Sequence, residues 1–310
     1  MFLAEREYDA MMQKVRLWIA ATRPWSFLMT LASTLLGLIL AVQSKSYELD
    51  YIIPVICGLI PVHAASNMLN DLFDVKYGFD TVESLRFRQH PIASGVIKES
   101  MLKKAILALY GIGVIIAAYL TSVRGALIAI FAGVGLILSI LYNVRPLRLK
   151  EKPLGELVVF AIWGPLIVSG TYYTLTGYLA SGAILASVPV GLLVSAVLLA
   201  NNIRDIENDS KKGAKTLAII MGYTAASMLY ASLLSFTYFL LILLIFFEIL
   251  SPTSLVSLLT LPKGISLIRL LRNKSPEEVD IKTAKLTLSF TLLVIIGESL
   301  NLVSQAIRAS

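Results

Sequence analysis

Two groups of oxygen-bearing side chains stand out by their spacing. The first runs Asn67, Asn70, Asp71, Asp74 and, further on, Asp80; the second runs Asn201, Asp205 and Asp209. On a helix, residues at i, i+4 and i+7 or i+8 share a face. Asn67–Asp71–Asp74 and Asn201–Asp205–Asp209 therefore each predict one stripe of donors, and the shared Asn-x-x-x-Asp spacing fits a duplicated helical unit. Each stripe ends an apolar run, where carboxylates are costly and mark function by default. Carboxylates brought together repel unless a cation neutralises them. Hard oxygen donors, with no cysteine and a single histidine nearby, suit Mg²⁺, an ion that bridges one or two carboxylates to substrate phosphates. The stripes thus predict a Mg²⁺–diphosphate site. Asp71, Asp74, Asp205 and Asp209 would be its catalytic, metal-holding carboxylates, with Asn67 and Asn201 as amide ligands. Arg88, Arg145, Lys150 and Lys211 in adjoining segments would complete the neutralisation. A lone aspartate at a helix end is usually just solvated; two matched stripes on one side argue otherwise.

The elements that must position these groups follow from composition. Of 310 residues, 57% are hydrophobic and 15% charged, against about 25% charged in soluble domains. Apolar runs near 18–43, 51–75, 101–122, 125–143, 154–178, 182–204, 219–247, 252–272 and 284–306 approach or reach bilayer-spanning length. The expected fold is all-α, an integral membrane bundle of nine transmembrane helices around a central, lipid-accessible cavity. With the N-terminus cytoplasmic, only Lys45, Arg124 and Arg308 of the 27 basic residues fall on the far side, and Arg23 and Lys263 fall within spans. The positive-inside rule therefore predicts N-in, C-out, with both acidic stripes on the cytoplasmic side. The net charge of +7 reads as topology and affinity for anionic headgroups or substrates, not as a nucleic-acid-binding face. No Pro-, Gly- or Ser-rich linker divides the chain, so residues 1–310 read as one domain, and residues 1–17 lack the layout of a cleavable signal. The single cysteine, Cys57, excludes a disulfide framework and reads as a small core residue.

A diphosphate bound at a membrane surface implies a lipid diphosphate, its polyisoprenyl tail housed in the bundle. Loss of diphosphate would leave an allylic cation, for which aromatic walls supply cation–π contact. Trp25, Phe27, Tyr142, Phe160, Trp163, Tyr172 and Tyr173 lie in nearby spans, although ordinary packing accounts for most such residues. Arg23, His63, Glu156 and Trp163 are candidates for an acceptor and prenyl pocket, while Arg23 and Glu156 are equally open to pairing within the bundle. Glu298 in the last span has no role in this scheme. A cation-coupled carrier is the rival reading, since intramembrane carboxylates and repeats serve there too. Against it stand the one-sided placement of the aspartates and the absence of Gly or Pro from both stripes.

The stretches Asn70-Asp71-x-x-Asp74-x₅-Asp80 and Asp205-x-x-x-Asp209 resemble the two Asp-rich motifs of the UbiA superfamily of intramembrane prenyltransferases. Arg23-Pro-Trp-Ser-Phe, His90-Pro-Ile-Ala-Ser-Gly95, Gly155-Glu-Leu-Val-Val-Phe and Gly170-Thr-Tyr-Tyr173 are similar to its 1,4-dihydroxy-2-naphthoate polyprenyltransferase branch. The resemblance implies Mg²⁺-dependent transfer from a polyprenyl diphosphate to an aromatic acceptor, for menaquinone biosynthesis, in a multi-pass plasma-membrane protein without an obligate protein partner. It also implies a Tyr/Lys element after the fourth helix, for which Tyr142 and Lys150 stand. Other acceptors within the superfamily are 4-hydroxybenzoate, a chlorophyllide, haem or an archaeal glyceryl phosphate.

Overall fold

The computed structural model describes residues 2–44, 46–79 and 95–309, and among them no residue is in a strand. The helices are α1 Phe2–Thr22, α2 Phe27–Val42, α3 Ile52–Lys76, α4 Glu99–Arg124, α5 Leu127–Asn143, α6 Gly155–Ala161, α7 Gly170–Thr176, α8 Ser181–Arg204, α9 Ile206–Lys211, α10 Leu217–Phe246, α11 Leu261–Arg272 and α12 Val279–Ala309. A π-helical stretch, Ile162–Ser169, joins α6 to α7, and 3₁₀ turns lead into α2, α3, α6 and α11. Among the described residues, eight stretches are long and apolar enough to cross a bilayer, from Met11–Val42 to Val279–Arg308. The fourth expected span corresponds to α5, which has 17 residues, about 25 Å at 1.5 Å per residue. Backbone groups in hydrocarbon must be satisfied internally, which is why apolar sequence of this length folds as helix.

The most buried of the long helices is α8, packed against α10, α12, α2 and the π-helical stretch. Small residues on α8 permit close approach, as in membrane interfaces generally. A Cβ on Gly191 would lie 2.9 Å from the Phe160 carbonyl oxygen, and one on Gly164 would lie 3.1 Å from Gly191 Cα. A second core joins Leu17 and Ala21 of α1 to Ala65, Met68, Leu69 and Leu72 of α3 and Leu102 and Ile106 of α4. It seats the end of α1 against the helix that carries the first acidic stripe. Leu107, Ile115, Phe246 and Phe247 are exposed, as lipid-facing residues are. Cys57 is exposed as well, not the core residue expected.

Two expected continuous helices are broken. The span at 18–43 turns at Arg23, whose φ of 53° and ψ of 60° are left-handed, before the 3₁₀ turn Pro24–Ser26. Proline restricts the residue before it away from the α region, so the break lies where Arg-Pro stands. The second stripe is broken at Asp205, the C-cap of α8, so that Asp209 lies on the separate short helix α9. The Asp209 amide still donates to the Asp205 carbonyl at 2.9 Å, keeping the two residues one turn apart.

Candidate functional site

The first stripe lies on continuous helix, as its spacing predicts, near the C-terminal end of α3. Asp71 is 2% exposed and accepts from Arg23 Nη2 at 2.6 Å. Asp74 Oδ1 accepts from both Arg148 Nη2 and Lys150 Nζ at 2.5 Å. With its amide oriented to satisfy both neighbours, Asn70 donates to Asp74 Oδ2 at 2.6 Å and accepts from Lys150 at 3.1 Å. Asn67 donates to the Thr22 carbonyl at 2.8 Å and to Ser26 Oγ at 3.0 Å, which ties α3 to the α1–α2 elbow. Arg148, like Arg23, is held at positive φ, here 37°. Left-handed backbone costs a non-glycine residue roughly 1–2 kcal/mol and persists where the surroundings over-determine it. Arg148, which is buried, and Arg23, which is half-buried, both hold the first stripe and are both bent this way.

At the second stripe, Arg204 forks onto Asp205 through Nε (2.9 Å) and Nη2 (2.7 Å) and also donates to Asn201 Oδ1 at 2.7 Å. Its Nη1 reaches Asp280 of α12 at 2.5 Å. Asp209 forms no ion pair among the described residues. Burial, followed by the negative charges of Asp205, Asp74 and Glu151, pushes its carboxyl up to about 6, and Lys212 partly offsets them. The charge of Asp74 on the first stripe is thus felt at Asp209 on the second. Two contacts draw their segments together: Lys212 Nζ donates to the Phe79 carbonyl beyond α3 at 2.8 Å, and Lys215 N donates to the Glu151 carbonyl before α6 at 2.8 Å.

Other expected residues lie elsewhere. Asp80, Arg88 and His90 fall outside the described residues. Arg145 is exposed and stacks over the Tyr77 ring at 4.2 Å instead of joining the carboxylates. Lys211 is also exposed; its neighbour Lys212, equally exposed, reaches the Phe79 carbonyl. Tyr142 is half-buried, within electrostatic range of Asp74, Arg23 and Glu156. Arg23 pairs with Asp71, the pairing within the bundle that the sequence left open. Glu156 is buried and accepts from Asn202 Nδ2 at 2.9 Å, leaving Oε2 without a hydrogen bond among the described residues. Tyr173 donates to the Arg124 carbonyl at the opposite end of the bundle. Glu298 there is fully buried and accepts from Ser251 N (2.7 Å), Ser254 Oγ (2.5 Å) and Gln43 Nε2, locking α12 to the turn before α11 and the end of α2. The break at Asp205 without Gly or Pro removes one of the two sequence arguments against a carrier.

Sequence reasoning missed Arg148 and Arg204 as partners of the stripes. Arg204 was legible in part, since it directly precedes Asp205; the fold of the α5–α6 connection that brings Arg148 to Asp74 was not. Among the described residues no three His, Cys, Asp or Glu side chains close on a single point. Instead, guanidinium and ammonium groups neutralise Asp71, Asp74 and Asp205. The Nε atoms of Arg23 and Arg148 are buried donors without an acceptor among the described residues.

Below this polar face, α3, α4, α5 and the α6–α7 stretch line a half-open cavity of about 700 Å³. Small-molecule sites measure roughly 300–1,000 Å³. The wall is mainly aliphatic, including Val55, Leu59, Val62, Ile116, Leu136 and Leu166, and also contains Thr30, His63 and Trp163.

A polar face that gathers two acidic stripes, beside a large apolar cavity in a membrane bundle, agrees with the comparison with known proteins. The UbiA prenyltransferase family model matches residues 30–291. The chain belongs to that family. A UbiA-family chain is an enzyme of prenyl transfer, and similarity extends over nearly the full length of named relatives. Identity is 31% over 284 residues with 1,4-dihydroxy-2-naphthoate octaprenyltransferase of Bacillus subtilis (strain 168), covering 89% of this chain and 90% of that protein. It is also 31%, over 301 residues, with UbiA prenyltransferase domain-containing protein 1 of Xenopus tropicalis, covering 94% and 84%. The fold matches that of a UbiA homolog from Archaeoglobus fulgidus solved with DMAPP and Mg²⁺, with a TM-score of 0.64, 16% identity, and 90% and 99% of the two chains covered.

Proposed function

We propose that this UbiA-family chain transfers a polyprenyl group from a polyprenyl diphosphate to an aromatic acceptor, 1,4-dihydroxy-2-naphthoate. The observation that carries the reading is that direct contacts bring the segments of two acidic stripes together, with two arginines that keep unpartnered buried donors, beside an apolar cavity. The donor set fits Mg²⁺: hard oxygens only, with the negative charge around Asp209 not fully compensated. Asn67, Asp71, Asp74, Asn201, Asp205 and Asp209 would hold the ion. When bound, it would stabilise the charge that builds on the departing diphosphate.

The chain's own residues do the rest. Arg23, Arg148 and Lys150, which hold Asp71 and Asp74, pass to the diphosphate oxygens when substrate arrives. The spare Nε donors of both arginines then find acceptors. The apolar cavity takes the prenyl chain and excludes water from the allylic cation. Trp163 and His63 in its wall offer aromatic edges and faces to that cation or to the acceptor ring. The acceptor ring attacks the allylic carbon, and its carboxylate leaves as carbon dioxide. In this reading α5 is the ninth span, the N-terminus and the acidic face are cytoplasmic, the membrane is the plasma membrane, and residues 1–310 form one domain.

Naphthoate is favoured as acceptor by the Bacillus subtilis relative. The equal identity to UbiA prenyltransferase domain-containing protein 1 supports a second reading, transfer to a different aromatic acceptor by the same residues. The carrier reading yields to family membership. The test is purified protein in detergent with Mg²⁺, geranylgeranyl diphosphate and a panel of acceptors, with product mass as readout. A Mg²⁺-dependent prenylated naphthol, abolished by Asp71→Asn and by Asp205→Asn, is expected. Product from another acceptor alone overturns the naphthoate assignment; folded protein that releases no diphosphate with any acceptor overturns the reaction.

A further inference from the structure

One hydrogen-bond chain runs from the cavity wall to the α1–α2 elbow, and its direction can be read atom by atom. Ser26 Oγ donates to the Arg23 carbonyl at 2.7 Å. It accepts from Asn67 Nδ2 at 3.0 Å, an amide whose orientation is set because it also donates to the Thr22 carbonyl. A hydroxyl has one proton and two lone pairs. The remaining contact of Ser26, with His63 Nε2 at 3.1 Å, is therefore an N–H donating to oxygen. A neutral His63 then accepts at Nδ1 from Thr30 Oγ1 at 2.8 Å, and Thr30 in turn accepts from Trp163 Nε1 at 3.3 Å. The rings of Phe27 and Trp163 meet the imidazole edge-on, with centroids 5.3 Å and 5.4 Å away. Every polar atom of the imidazole is used, and its plane is held from two sides.

The chain ends at the strained residue. Arg23 keeps its left-handed backbone while its carbonyl accepts from both Ser26 N (2.9 Å) and Ser26 Oγ. That conformation turns the guanidinium onto Asp71 at 2.6 Å. A non-glycine residue stays in this region only where its surroundings impose it, and the hydroxyl that His63 orients is one of the groups imposing it here.

We infer that His63 is a positioning residue for the diphosphate site, fixing the Arg23 elbow through Ser26 and thereby aiming the guanidinium at Asp71. The inference rests on the proposed reaction for its substrate. It differs from a direct contact of His63 with the prenyl chain or acceptor, which its place in the cavity wall also permits. It differs too from a purely structural role, because its effect passes through a single side chain.

The test is a double-mutant cycle on the full chain in detergent, with Mg²⁺, geranylgeranyl diphosphate and 1,4-dihydroxy-2-naphthoate. His63→Phe keeps the ring and removes both nitrogens; Arg23→Met removes the group being aimed. Expected are a raised KM for the diphosphate and a loss of about tenfold in kcat/KM from His63→Phe alone, falling to about twofold or less in the Arg23→Met background. His63→Gln, which restores an N–H toward Ser26, is expected to recover most of the loss. Equal losses from His63→Phe with and without Arg23 overturn the inference. Ser26→Ala supplies the same cycle should His63→Phe fail to fold. Should wild type turn over no acceptor, that failure falls on the proposed reaction. The cycle is then read on Mg²⁺-dependent binding of inorganic diphosphate by calorimetry, where coupling upholds positioning and additivity overturns it.

Discussion

Asp74 carries two cations on one oxygen, and that asymmetry makes a sharp prediction. Arg148 is 2% exposed, Lys150 13% and Asp74 15%, so the triad is largely removed from water. Asp74→Asn keeps the shape but removes the only negative charge within 4 Å of Lys150 among the described residues. Arg148 retains the Glu151 carboxylate at 2.6 Å, whereas Lys150 is left buried with amide partners only. Breaking a buried pair from one side costs about 3–5 kcal/mol, chiefly through the charge left behind. Arg148→Met strands less: Asp74 keeps Lys150, and the half-shielded Glu151 can hydrate or take up a proton. Its cost is the stacking of the guanidinium over Tyr77 (4.6 Å) and Phe79 (4.3 Å), roughly 1–2 kcal/mol. Reversible unfolding in mixed micelles without Mg²⁺ measures both. Asp74→Asn is expected to be the more destabilised, by about 1–4 kcal/mol. Equal destabilisation, or an Asp74→Asn protein as stable as wild type, would refute the claim that this carboxylate neutralises the α5–α6 connection.

Arg204→Gln releases Asp205, Asn201 and Asp280 together. Outer partners of metal-holding groups are worth about 10–100-fold, so kcat/KM in the prenyl-transfer assay is expected to fall by that factor, with a raised Mg²⁺ requirement in a titration. Gly191→Ala drives a methyl to 2.9 Å from the Phe160 carbonyl and 2.8 Å from its ring; overpacking of this kind costs about 1–3 kcal/mol, read as a lower unfolding midpoint. Glu298→Gln can keep its amide oxygen on Ser251 and Ser254, but it sets an NH2 group against Gln43 Nε2, which donates to the other carboxylate oxygen. About 1–3 kcal/mol of stability is expected to be lost, while turnover per folded molecule, measured after size-exclusion, stays at the wild-type value.

What was legible from sequence, and what was not, divides at the helix ends. Apolar runs of bilayer length force helix because nothing else satisfies the backbone there, so most spans could be read to within a few residues, although α1 begins at Phe2 and not near residue 18. The i, i+4, i+7 stripe on α3 was legible for the same reason, helix being continuous through Asp74. The echo of Asn67 and Asp71 in Asn201 and Asp205 fits a duplicated helical unit, yet the surroundings of the two differ. Asp71 is paired by an arginine from a preceding, broken helix, and Asp205 by the residue before it on its own helix. Spacing fixes which residues share a face of one helix; it says nothing of which cation the neighbouring segment delivers. That delivery depends on left-handed turns at Arg23 and Arg148, and neither turn is built with glycine or asparagine, the residues that would have signalled it. Strain of this kind survives where many neighbours impose it at once. The same over-determination that hid both arginines from a reading of spacing is therefore a reason to place them at the working end of the bundle.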